Sequence, residues 1–138
     1  MRVFLCAFGD YSVAIPTDSI SSLSLSSKDE IKYNVVSYEN SDVYISLLLL
    51  FNLPAENVRH IITLKNEIYE KNIFLLSTQV ECEFEITNEK MFSVPKTLRN
   101  TRFSVLFNGI QFDDNKEATP TLLLNTKQIN NFLRGYHD

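Results

Sequence analysis

From Val80 to Ile86 the chain reads V-E-C-E-F-E-I, with apolar and acidic residues in strict alternation. Only an extended strand sends successive side chains to opposite faces, so Val80, Cys82, Phe84 and Ile86 take one side and Glu81, Glu83 and Glu85 the other. The same period of two, rather than the helical 3.6, governs most of the chain. Val3 to Phe8 is continuously apolar, as in a strand covered on both faces, and Gly9-Asp10 supplies a hairpin turn into Tyr11 to Ile15. Pro16 ends that strand, Thr17-Asp18-Ser19 offers capping side chains for a single helical turn, and Leu23 and Leu25 between serines predict a half-buried strand. Ile31, Tyr33 and Val35 alternate with Lys32 and Asn34, and Val36 to Asp42 reads as a polar turn. Further strands are expected over His60 to Leu64, Ile73 to Leu76, Arg102 to Phe107, Ile110 to Phe112 and Thr121 to Leu124, with Asn108-Gly109 as a hairpin turn. Ile129, Phe132 and Leu133 then fall on one face of a short helix, with Gly135 suited to its end. About ten short strands with helices of only one or two turns predict a mainly β fold built as small barrels or a sandwich.

One stretch departs from this rhythm. In Val43 to Pro54, VYISLLLLFNLP, a strand runs straight into a helix: Ser46 can accept a backbone N–H as the N-cap, and Pro54 discourages continuation. The run is too short to span a membrane, which needs about 20 apolar residues. The run reads as a buried hinge between strand and helix; in a sharper reading, a helix this short, lying on a sheet with Leu47, Leu50 and Phe51 buried, leaves Leu48 and Leu49 near the outside. Exposed leucines there would mark a contact surface for another chain.

With 138 residues, positions 1–138 are expected to form a single domain large enough to fold without disulfides or metals. A net charge of −4 provides no basic field for nucleic acid or an anionic membrane, and no apolar run reaches membrane length. Cys6 and Cys82 lie far apart inside apolar strand patterns, without C-x-x-C, and read as buried thiols of a reducing compartment. Met1-Arg2 leads directly into a strand pattern without the features of a signal peptide, so the cytoplasm is the expected location.

Few residues of the chain suggest chemistry. His60 and His137 sit in no recognisable nucleophile or base constellation, and two distant histidines with two distant cysteines make no zinc set. Glu81, Glu83 and Glu85 stand about 7 Å apart along one strand face, which reads as a solvated surface rather than an acid/base pair. Lys96, Arg99 and Arg102 surround a loop and could hold a phosphate, yet no D-x-S-x-x-G accompanies them. With three glycines and neither G-x-x-x-x-G-K-[ST] nor G-x-G-x-x-G, no phosphate-cradling loop is expected, and no cofactor is implied.

Four segments, taken together, carry a family resemblance. VFLCAFGDYSVAIPTDSISSL, VYISLLLLFNLP, FLLSTQVECEFEI, and NGIQF followed by TLLLNTKQI occur in the order and spacing of a known domain. That order resembles CheW, the coupling protein of bacterial chemotaxis, and its sibling domains in the kinase CheA. The resemblance implies a single CheW-like domain of two packed five-stranded β-barrel subdomains with short helices. It also implies a non-catalytic, cytoplasmic adaptor that links the tip of a chemoreceptor to a CheA-type histidine kinase. The family's N-L-R-G falls on Val36, Ser37, Tyr38 and Glu39, so its arginine and glycine are replaced by Tyr38 and Glu39. Ser46, Thr78 and Asn125 stand where the family usually has aspartate, and Leu48 and Leu49 where it tends to have charge. The partner surface is therefore expected to include Tyr38, Glu39, Asn40, Leu48 and Leu49. The competing reading is a small-ligand-binding β-barrel with Phe4, Phe8, Tyr11 and Phe84 as pocket walls.

Overall fold

The computed structural model describes residues 2–8, 11–65, 71–85, 91–92, 103–111 and 121–135. The strands in chain order are β1 (Arg2–Phe8), β2 (Tyr11–Pro16), β3 (Ile20–Leu25), β4 (Val36–Glu39), β5 (Asp42–Ser46), β6 (His60–Leu64), β7 (Asn72–Ser77), β8 (Val80–Glu85), β9 (Met91–Phe92), β10 (Phe107–Gln111) and β11 (Thr121–Leu124). The helices are α1 (Leu47–Leu50), α2 (Phe103–Leu106) and α3 (Ile129–Gly135), and single 3-10 turns include Thr17–Ser19 and Lys28–Glu30. A six-stranded sheet runs β8-β1-β2-β11-β10-β9 and a five-stranded sheet β3-β6-β7-β5-β4. Most pairs are antiparallel; β11 with β2 and β5 with β7 are parallel.

The expected five-stranded barrels are not closed. Closure requires the outermost strands of a sheet to pair with each other, and no ladder among the described residues joins the ends of either sheet. β3 is exposed from Ser21 to Leu25, and among the described residues β4 pairs only with β5.

Local expectations fare unevenly. The first hairpin forms with Phe8 opposite Tyr11, and α1 starts where Ser46 accepts the Leu49 N–H on its hydroxyl at 3.2 Å. Asn108-Gly109 does not reverse the chain. Instead α2 leads into β10, and the ladder with β11 shifts register between Phe107 and Gly109, an irregularity of the bulge kind at which glycine is common. Residues 31–35 form no strand, with a bend over 33–35, and the hairpin sits one step later, where β4 and β5 enclose a turn at Asn40, whose φ is 56°. Leu23 and Leu25 are exposed rather than half-buried.

One continuous core joins the sheets. Cys6, Phe8, Val13 and Ile15 from the six-stranded sheet pack with Val43, Ile45, Leu75 and Leu76 from the five-stranded one, together with Ile129 and Phe132 of α3. Burial pushes the Cys6 thiol up to about 11, with the Ser77 hydroxyl drawing it back and Glu81 adding repulsion. A thiol raised in the folded state stabilises the fold below its unfolded value, and that contribution is lost as pH rises from about 9 to about 11. The stability difference between the parent protein and Cys6→Ala is thus expected to shrink above pH 9, by up to about 1.4 kcal/mol per pH unit. Urea titrations of both proteins at pH 7.5 and 10 would check this; a difference that stayed constant or grew would refute it.

Candidate partner-binding groove

The neighbours of Tyr38 define the groove. Across the ladders Tyr38 stands opposite Val43, and Val43 opposite Ile73, so the three form one row on one face of the five-stranded sheet. Val43 and Ile73 are buried, while Tyr38, on the edge strand, is 53% exposed. Lys71 holds its ammonium 5.0 Å above the Tyr38 ring, a cation–π contact that fixes both side chains at the rim.

The opposite wall is α3. Ile129 and Phe132 bury one side of this helix in the core, so Asn130, Leu133 and Arg134, at i, i+3 and i+4, turn together into the groove. Its approach is tied down by Asn125 N–H donating to the Leu106 carbonyl at 2.8 Å and by Ser19 Oγ donating to Thr126 Oγ1 at 3.2 Å. The helix that follows β11 of one sheet thereby lies against the other, and a groove of about 270 Å³ opens between them. Its floor is apolar and its rim carries two cations, an amide and a phenol. This set offers hydrogen-bond donors and an aromatic face as binding contacts.

The expected partner residues do not form one patch. Tyr38 enters the groove. Glu39, its neighbour on the strand, points to the other face and pairs with Lys32, whose ammonium also lies 4.7 Å over Tyr44, itself stacked on Phe74 at 5.0 Å. Asn40 is exposed at the turn. The expected exposure of Leu48 is wrong: it is fully buried, and Leu49 is half-buried against the core. Lys71 and α3 were missed as groove walls, although Asn130, Leu133 and Arg134 already share a helical face in the sequence.

Other candidates resolve into packing. His60 Nδ1 lies 3.1 Å from the Thr78 carbonyl and donates to it in the tautomer that satisfies both. Phe8, a proposed pocket wall, is buried and stacked on Phe51, and Phe4 is half-buried. The side chains of Tyr11, Cys82 and Phe84 lie outside the described residues, as do Lys96, Arg99, Arg102 and His137. Glu81, Glu83 and Glu85 are exposed, with Arg2 spanning the latter two at 3.6 and 3.8 Å. Among the described residues no cluster of three or more His, Cys, Asp or Glu could hold a metal, and no helix is long and apolar enough to cross a membrane.

No family model matches the chain, and no curated protein does. Among solved structures, the scaffolding protein TtCheW from Thermoanaerobacter tengcongensis is similar, with a TM-score of 0.64 over 90% of this chain and 88% of that one at 12% identity. The mainly β architecture described above is a CheW-like fold.

Proposed function

Starting from that fold, we propose that the chain is a non-catalytic adaptor of bacterial chemotaxis signalling, acting in the cytoplasm to couple chemoreceptors to a CheA-type histidine kinase. The observation that carries the proposal is the groove where α3 of one unit meets the Tyr38–Val43–Ile73 row of the other. An apolar floor with a polar rim suits an amphipathic partner segment, and the Tyr38 ring supplies the kind of aromatic anchor that dominates interfaces. Glu39 and Asn40 extend the surface along the β4–β5 turn, and Leu49 adds apolar area, whereas a fully buried Leu48 has no part in it.

The test is capture from lysate of the source cells with mass spectrometric identification, using Tyr38→Ala/Leu133→Asp as the comparison. Parent protein is expected to retain a CheA-like kinase or a chemoreceptor. The double variant, folded by circular dichroism, is expected to retain at least about tenfold less, since a single aromatic anchor can account for 2 kcal/mol or more. Capture of neither partner by the parent protein would sink the coupling role.

A further inference from the structure

We infer, independently of the coupling role, that the groove at the end of β3 is a binding site for a small amphipathic carboxylate, whose alkyl chain lies on Leu25, Ile31 and Val58 and whose head meets Arg59 and Lys28. The groove encloses about 820 Å³, within the range of about 300–1,000 Å³ common to sites for organic ligands. Its frame is held by backbone bonds. Ser26 N–H donates to the Arg59 carbonyl at 3.0 Å, Ser26 Oγ to the Val58 carbonyl at 3.0 Å, and Arg59 N–H to the Ser77 carbonyl at 2.9 Å. The end of β3, the approach to β6 and the end of β7 are thereby tied together.

The apolar wall continues the core outward. Leu25 stands opposite His60 in the ladder, so both turn to one face of the sheet, the same face that carries buried Ile62 and Leu75 one row further in. Leu25 itself is 77% exposed, Ile31 is half-buried and Val58 is buried. An alkyl chain laid along these three side chains takes Leu25 out of water. Among the described residues the lining holds no phenylalanine, tyrosine or tryptophan on which a nucleobase would stack, so an aliphatic body fits it better than a planar one.

Charge chooses the head group. Arg59 Nη1 donates to the carbonyls of Glu56 at 3.3 Å and Val58 at 3.1 Å. Those two bonds use both hydrogens of Nη1 and hold the guanidinium in place. They leave Nε–H and Nη2–H, the side-on edge that takes a carboxylate through two parallel bonds. Lys28 and Arg59 both line the groove, and neither has a carboxylate partner among the described residues. With His60 counted as neutral, two cations against the one lining carboxylate, Glu56, leave the groove net positive in a chain of net charge −4.

Isothermal titration calorimetry with decanoate is the test. Decanoate is expected to bind, with affinity rising from hexanoate to decanoate by up to about fourfold per methylene. Decyltrimethylammonium, the same chain under the opposite charge, is expected to bind about tenfold more weakly or worse. Arg59→Gln is expected to weaken decanoate binding about tenfold or more, and Arg59→Lys, which keeps the charge and loses the fork, weakens it as well. Lys28→Gln and Leu25→Ser alter exposed side chains and keep the fold; the first weakens both acids, the second weakens decanoate more than hexanoate. Glu56→Gln tightens binding by removing the opposing charge. Absence of decanoate binding up to about 10 mM, equal binding of the ammonium analogue, or an affinity unmoved by Lys28→Gln and Leu25→Ser in folded protein overturns the proposal. Weaker binding by Glu56→Gln, the mark of a zwitterionic ligand, overturns it too.

Discussion

Leu48→Ala is expected to lower the unfolding free energy by about 2–5 kcal/mol, and Leu49→Ala by no more than about 1 kcal/mol, in urea titrations. The contrast follows from helix geometry. Successive residues of α1 turn by about 100°, so Leu47, Leu48 and Leu50 together span an arc of about 160° and Leu49 points away from its middle. All three residues of that arc are buried, at 0%, 0% and 5% exposure. α1 therefore does not rest on a sheet by one narrow stripe; core surrounds it on nearly half its circumference. The Leu48 carbonyl is also a fixed point of the chain reversal, accepting from Phe51 N at 3.1 Å and Leu53 N at 2.8 Å. Leu48→Asp would place a carboxylate in that core and unfold the protein, so loss of partner binding in such a variant would report folding alone. Equal, small costs for both alanine variants would contradict this account.

What could be read from the sequence was local. The passage from β5 into α1 was legible because a period of two changes to a leucine run across one capping serine, and both signals lie within a few residues. β6, β7, β8 and β11 were legible for the same reason. β4 was not: among the described residues Val36-Ser37-Tyr38-Glu39 pairs only with β5, and the alternation of Ile31, Tyr33 and Val35 just before it drew the strand too early, although Tyr33 is 73% exposed. Gly109 shows a second limit, because glycine is common both at bulges and in hairpin turns, so the two look alike in sequence. The groove could not be read at all. It needs β5 to lie parallel beside β7 and α3 to fold back on that row, bringing residues 38, 71 and 134 together. Nothing within any one of those segments specifies the others.

Phe8→Ala is expected to cost about 3–5 kcal/mol and to leave a single unfolding transition. Phe8 belongs to β1 of the six-stranded sheet and is 1% exposed, yet its ring stacks on Phe51, just beyond α1, with centroids 5.2 Å apart and planes within 8°. Phe51 in turn tilts against Phe107 of β10 at 6.1 Å, returning the contact to the first sheet. The three rings clasp the chain reversal after β5 between strands of the other unit, so removing Phe8 withdraws support from both. A double-mutant cycle with Phe51→Ala should show a coupling of about 0.5–1.5 kcal/mol for the stacked pair, beyond the two separate losses. Circular dichroism and tyrosine fluorescence followed through the same denaturant series are expected to coincide. Two separated transitions, with one sheet surviving the other, would mean that the shared core is a contact between two independent domains; one transition at lower denaturant would mean that neither sheet is stable without the other, because each buries its inner face on residues the other supplies.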